Sequence, residues 1–169
     1  MKKIILSFAV LLFLMPQTVF AQDEAIQGFR ATDLPLPRFV SLRSEKTYVR
    51  TGPALRYPIK WVYKQKGLPV EIVQEFDAWR KVKDYEGDFG WVHQSLLTGD
   101  RTVLIDHVDP IPVRQGFSSD SKMVARFEPL VTASLKKCAD DWCRVETHGY
   151  DGWVERKYLW GIYDSEDLD

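Results

Sequence analysis

One half of this chain is a worn copy of the other, and that duplication limits its fold more than any other feature. Trp79-Arg80-Lys81-Val82 followed by Gly90-Trp91-Val92 returns as Trp142-Cys143-Arg144-Val145 and Gly152-Trp153-Val154. Upstream of each lies a Val-Arg-x-Gly, Val49-Arg50-Thr51-Gly52 and Val113-Arg114-Gln115-Gly116. The separation between copies is 64 residues for Val49 to Val113, 63 for Trp79 to Trp142 and 62 for Trp91 to Trp153. So small a drift over three anchors identifies two structural units of similar build.

Each copy reads as short strands. Phe39 to Arg43 and Thr47 to Arg50 alternate apolar with polar residues, Thr51-Gly52-Pro53 interrupts, and Lys60 to Tyr63 resumes. Val70 to Phe76 alternates, Asp77-Ala78 reverses the chain, and Trp79 to Lys83 returns, so a hairpin is predicted there. Gln94 to Leu97 suits a short helical turn. Thr102 to Ile105 closes the first unit or opens the second, and the second copy follows the first strand for strand. Aromatics are 13% of the chain, including 6 Trp, and favour strands over long helices.

The first 21 residues differ from the rest: Lys2-Lys3, an apolar run from Ile4 to Met15, then Val19-Phe20-Ala21. They read as a secretory signal peptide cleaved after Ala21, the run being short of the ~20 residues that span a bilayer. The alternative is an uncleaved anchor. Residues 22–43 read as an extended lead-in, in which Leu34-Pro35-Leu36-Pro37 is more naturally a stiff tether than a ligand for a proline-binding groove. The acidic tail, 164–169, is expected to be loose.

The formal net charge is −1, and losing Lys2 and Lys3 makes the remainder slightly more acidic. Basic and acidic residues are interspersed, so a nucleic-acid partner is not expected, nor stable membrane insertion after signal cleavage. Both cysteines fall in Cys138-Ala139-Asp140-Asp141-Trp142-Cys143 and read, in an exported chain, as a disulfide across a hairpin turn. The competing reading, a metal or redox pair, is disfavoured because the spacing is not C-x-x-C and no histidine stands at ligand spacing.

The ordered set of Val-Arg-x-Gly, Trp-x-[Arg/Lys]-Val, Gly-Trp-Val and a Leu-containing closing turn resembles the bacterial SH3-like (SH3b) domain, twice over, from about Tyr48 to Trp160. Cys138 with Trp142-Cys143-Arg144-Val145 is similar to SH3b domains of exported alphaproteobacterial proteins. The resemblance implies an all-β chain of two tandem small SH3-like β-barrels after the signal peptide, with repeats at 44–105 and 106–163. The signal peptide points to a periplasmic or secreted location, and the resemblance implies a peptidoglycan peptide or an extended segment of an envelope protein as ligand. A structural accessory subunit of an envelope complex is the alternative, and a cell-wall hydrolase stands third after both.

No catalytic, metal or cofactor site is expected. His93, His107 and His148 are scattered, and Asp84, Glu86 and Asp88 crowd a turn with no apolar pocket to raise a pKa. The repeated Trp79, Trp91, Trp142 and Trp153 are assigned to hairpin packing, and Arg50 and Arg114 to a structural pairing with an acid or carbonyl. The preferred contact surface is the loop aromatics of the first repeat: Tyr48, Tyr57, Trp61, Tyr85 and Phe89. Phe117, Phe127, Tyr150 and Trp160 are their weaker counterparts in the second, which lacks Gly52-Pro53. The first repeat is therefore expected to bind and the second to brace.

Overall fold

A computed structural model describes residues 32–166 and 168; the candidate export signal and residues 22–31 of the lead-in lie outside them. The first unit contains β1 (Arg38–Leu42), β2 (Thr47–Arg50), β3 (Ile59–Tyr63), β4 (Pro69–Phe76), β5 (Trp79–Lys83), β6 (Phe89–His93), a 3-10 turn (Gln94–Leu96) and β7 (Leu97–Thr98). The second contains β8 (Thr102–Ile105), β9 (Ile111–Arg114), β10 (Met123–Phe127), β11 (Thr132–Ala139), β12 (Trp142–Thr147), β13 (Tyr150–Glu155), a 3-10 turn (Arg156–Tyr158) and β14 (Leu159–Trp160). Each set forms a seven-stranded antiparallel sheet, ordered β3-β2-β6-β5-β4-β1-β7 and β10-β9-β13-β12-β11-β8-β14.

The two orders superimpose strand for strand, so the duplication in sequence is a duplication in topology. Two details correct the sequence-level expectation. Phe39 to Leu42 lies in the first sheet, pairing with β4 and β7, whereas Thr102–Ile105, placed by the sequence boundaries at the end of the first repeat, pairs with β11 and β14 in the second. The sheets also do not close into barrels: β3 and β7 stand at opposite ends of one ladder, β10 and β14 of the other. Side chains, one of them from the opposite sheet, complete the first core in place of backbone pairing.

That side chain is Leu104. Alternate residues of a strand point to opposite faces, and on β8 both faces are buried. Val103 and Ile105 join the second core with Ile111, Val113, Val145 and Val154. Leu104 joins the first with Leu42, Val49, Val70, Val82 and Val92. Burying one leucine is worth about 1.5–3 kcal/mol, so β8 ties the two units into one body. Ser41 Oγ lies 2.6 Å from Thr102 Oγ1, which also donates to Gly67 O at 2.6 Å. Phe39 packs against Trp160 and Tyr163 with centroids 4.9 and 4.7 Å apart.

The glycine of Gly-Trp-Val is required by a close crossing. A Cβ on Gly90 would stand 2.1 Å from Val49 Cγ1, and one on Gly152 2.6 Å from Val113 Cγ1 and 2.7 Å from Arg114 O. The valine of Val-Arg-x-Gly thus fills the space that the later glycine leaves open, and the two motifs recur together for that reason.

The β4–β5 and β11–β12 hairpins hold equivalent places in the two sheets, yet their closed ends are fastened differently. Cys138 and Cys143 face each other across the second hairpin, Cα atoms 4.0 Å apart, and form a disulfide. The matching pair in the first is Glu75 and Arg80. The Glu75 carboxylate is buried and accepts from Arg38 Nη2 at 2.5 Å, from Thr32 N at 2.8 Å and from Thr32 Oγ1 at 2.9 Å, with Arg80 Nε 3.2 Å away. Burial alone would raise its pKa, but Arg38, Thr32 and Arg80 together hold it below the usual carboxylate range. The described residues of the tail make contacts where a loose segment was expected. Glu166 pairs with Arg101, Cys138 N donates to Leu168 O at 3.0 Å, and Leu168 packs on the second core.

Candidate functional site

In antiparallel strands, residues directly opposite each other share a face, and this rule divides the five predicted aromatics. Trp61 lies opposite the buried Val49, so its indole turns toward the first core, where it meets Tyr63 edge-on at 5.9 Å; its Nε1 is buried and makes no hydrogen bond among the described residues. Tyr85 also packs against that core, and burial, with Glu86 and Asp84 nearby, raises its hydroxyl pKa. Tyr57 lies against Gly52, whose absent Cβ would meet its ring at 2.6 Å. Only Tyr48 and Phe89 present large exposed ring surface, 38% and 42% of each residue.

Tyr48 and Phe89 stand on the outer face of the sheet along neighbouring strands β2 and β6. Trp91 is on the same face, opposite both Arg50 and Lys81. Lysines lie over this region: Lys46 Nζ is 5.0 Å from the Tyr48 ring centre, Lys60 Nζ 4.6 Å from Trp61, and Lys81 Nζ 5.5 Å from Phe89. Lys60 also donates to Phe89 O at 3.1 Å, which brings β3 and β6 together across β2. Among the described residues these three lysines have no carboxylate partner, and β3 is an open sheet edge whose outward backbone groups are unpaired by the ladder.

Arg50 donates from Nη1 to Leu55 O at 3.0 Å and Tyr57 O at 2.7 Å, and Arg114 donates to Ser121 O at 2.8 Å. Each arginine thereby holds the loop after its own strand. Asp84 is buried in the β5–β6 turn: Oδ1 accepts from Asp88 N at 2.8 Å and Oδ2 from Tyr63 Oη at 2.7 Å. Burial, then this hydrogen bond, drives the Tyr63 pKa far up. Glu86 and Asp88 are exposed. Among the described residues, no group of three or more His, Cys, Asp and Glu is placed to hold a metal ion, and no helix is long and apolar enough to cross a membrane.

The equivalent outer face of the second unit is covered. Trp153 lies under Phe117 at 5.4 Å and Lys137 at 5.6 Å, and Arg144–Asp151 and Lys136–Glu146 are ion-paired. The exposed apolar groups of the second unit include Phe117, Tyr150 and the edge-strand residues Met123 and Val124, with Val108 and Leu130 in its loops; Phe127 is buried. Trp160 is taken up by Phe39 at the junction between units.

Sequence reasoning missed the buried Glu75–Arg80 pair, although the spacing of the repeats held a signal for it. The same 63-residue offset that maps Trp79 onto Trp142 maps Glu75 onto Cys138 and Arg80 onto Cys143.

No curated protein matches the chain. Among solved structures, NlpC1 from Trichomonas vaginalis is similar at 12% identity and a TM-score of 0.34, covering 76% of this chain and 47% of that one. NlpC2 from the same organism is similar at 13% identity and a TM-score of 0.35, covering 83% and 52%. The chain thus spans about half the length of these neighbours. The family model of the bacterial SH3 domain matches residues 44–99 and 107–161. With two matches over two sheets of one topology, this chain belongs to the bacterial SH3 domain family and carries the domain twice.

Proposed function

We propose that this protein is an exported, non-catalytic binding module whose first SH3 unit takes an extended acidic peptide, with the peptide of the cell wall as its ligand. The observation that carries the reading is the outer face of the first sheet. Exposed Tyr48 and Phe89 lie there beside Lys46, Lys60 and Lys81, which have ring contacts but no carboxylate among the described residues, along an open β3 edge. Aromatic faces take apolar side chains, lysines take carboxylates, and an open edge takes backbone hydrogen bonds. Membership of the bacterial SH3 family supports a wall or peptide ligand.

A non-catalytic reading is supported by the full use of Asp84 in its turn and by the joining of the cysteines. The disulfide, with the composition of residues 1–21, supports a periplasmic or secreted location. A second reading, an accessory subunit of an envelope complex, draws support from the exposed apolar edge of β10 at Met123 and Val124. Sedimentation of the oxidised protein with purified sacculi separates the two. Wild type is expected to co-sediment, and Tyr48→Ala combined with Phe89→Ala to remain in solution. Wild type left in the supernatant, or a double variant that sediments equally well, would overturn the wall-peptide reading.

A further inference from the structure

We infer that the first unit carries a second, separate ligand site, a cavity of about 280 Å³ between the lead-in and the β4–β5 hairpin, built to hold a carboxylate attached to a small aliphatic group. The residues lining it include three arginines, Arg38, Arg43 and Arg80, and the apolar Leu34, Ile72 and Leu97, and no acidic residue is among them. Glu75 lies behind Arg38 and Arg80 with both oxygens engaged. Arg80 is fully engaged, by Glu75, the carbonyls of Asp77 and Trp79 and Gln94 Oε1. The three arginines with one committed anion thus leave an excess of positive charge beside apolar surface that is offered to a ligand chiefly by Arg43. That is the pattern of a pocket for an amphipathic anion.

The second unit acts as an internal control for what folding requires. Arg80 donates to the carbonyl of the turn residue Asp77, and Arg156 donates to the matching carbonyl of Asp140, so one guanidinium at this turn belongs to the fold. Arg38 has a counterpart in Arg101, which is paired with Glu166 of the tail. Arg43 has no such counterpart. Its backbone N–H bonds Leu96 O as that of Asp106 bonds Tyr158 O, so the position that carries the third cation in one unit carries an acid in the other. Arg43 donates Nε to Leu97 O at 3.1 Å, and its two terminal nitrogens have no protein partner among the described residues. Arg80 is itself almost wholly buried, with 4% of its side chain exposed, which fixes the floor of the site rigidly.

The volume suits one amino-acid-sized group, whether the C-terminal residue of a polypeptide or a free acyl amino acid. N-acetyl-leucine is the probe, titrated into isotope-labelled, oxidised full-length protein and followed by the amide resonances of Gln94, Leu97 and Thr98. Saturation is expected in about the millimolar range for so small a ligand. N-acetyl-leucinamide, which lacks the charge, should leave the resonances unmoved, and Arg43→Gln, a change at an exposed side chain, should weaken binding about tenfold. A hexapeptide ending in leucine that binds more tightly than the probe assigns the site to chain ends; one that binds no better assigns it to free acids. The proposal is overturned by the absence of a saturable shift, by equal binding of the amide, by an unchanged affinity in Arg43→Gln, or by inorganic phosphate producing the same shifts at the same concentration. Tyr48 and Phe89 take no part, so this result and the sacculus result stand independently.

Discussion

The ends of the β4–β5 and β11–β12 hairpins occupy the same place in the same topology, yet one is closed by a buried ion pair and the other by a covalent bond. Both ends also recruit a segment outside the repeats: Thr32 from the lead-in caps Glu75, and Leu168 of the tail accepts from Cys138 N. A disulfide needs no partner beyond its two residues. A buried carboxylate must have every lone pair served to offset its lost hydration. The first unit therefore required Arg38, Thr32 and Arg80 around one side chain, and two of these arginines also line the pocket beside it.

The largest effect should come from breaking the ionic end. Glu75→Ala leaves Arg38 and Arg80 facing each other without an anion, and a loss of about 3–5 kcal/mol in urea denaturation is expected. A loss under about 1 kcal/mol would mean that the cluster is solvated. Next is Leu104→Ala, expected to cost about 2–5 kcal/mol. Because Leu104 sits on the second sheet and in the first core, hydrogen exchange should accelerate in both units; acceleration confined to β8 and its neighbours would show that the units are separable.

Opening the covalent end should matter less. Its closed loop is short, and reduction of Cys138–Cys143 is expected to lower stability by about 2 kcal/mol, read as the shift in urea midpoint with and without reductant. Gly90→Ala and Gly152→Ala test the crossing the hairpins share, each at about 1–3 kcal/mol. Gly152→Ala should be the worse, since its new methyl meets the backbone oxygen of Arg114 as well as a valine methyl. The smallest effect is the pH dependence. With Glu75 ionising more readily when folded than unfolded, its contribution is complete above the ordinary carboxylate range and is lost as pH falls through its lowered pKa. Acid should therefore loosen the ionic end and also the Glu166–Arg101 pair that anchors the tail, since that carboxyl, despite its partial burial, is likewise held low by Arg101. The Cys138–Cys143 bond itself does not titrate, and Glu75→Gln should reduce the slope of stability against pH.

Much of the architecture was legible in the residues. The matched anchors identify two copies, alternation locates the hairpins, and the cysteine spacing across Asp140-Asp141 is that of a facing pair. The site was legible only in part. Tyr48 and Phe89 do stand exposed, but Trp61 and Tyr85 turn inward, and nothing local distinguishes them. A bulge in β3 shifts its register between Val49↔Trp61 and Arg50↔Ile59, and one shifted residue moves the following side chains to the other face.

What the sequence determined by itself is whatever depends on short-range pattern: strand periods, turn positions, the paired cysteines and the fact of repetition. Tertiary structure alone decided which sheet claims β8, that both sheets stay open, and that Arg38, Arg43 and Arg80 converge. Those outcomes depend on side chains far apart in the chain, as with Thr32 at Glu75 or Leu104 in the first core. A strand buried on both faces carries no local mark of which core each face will enter.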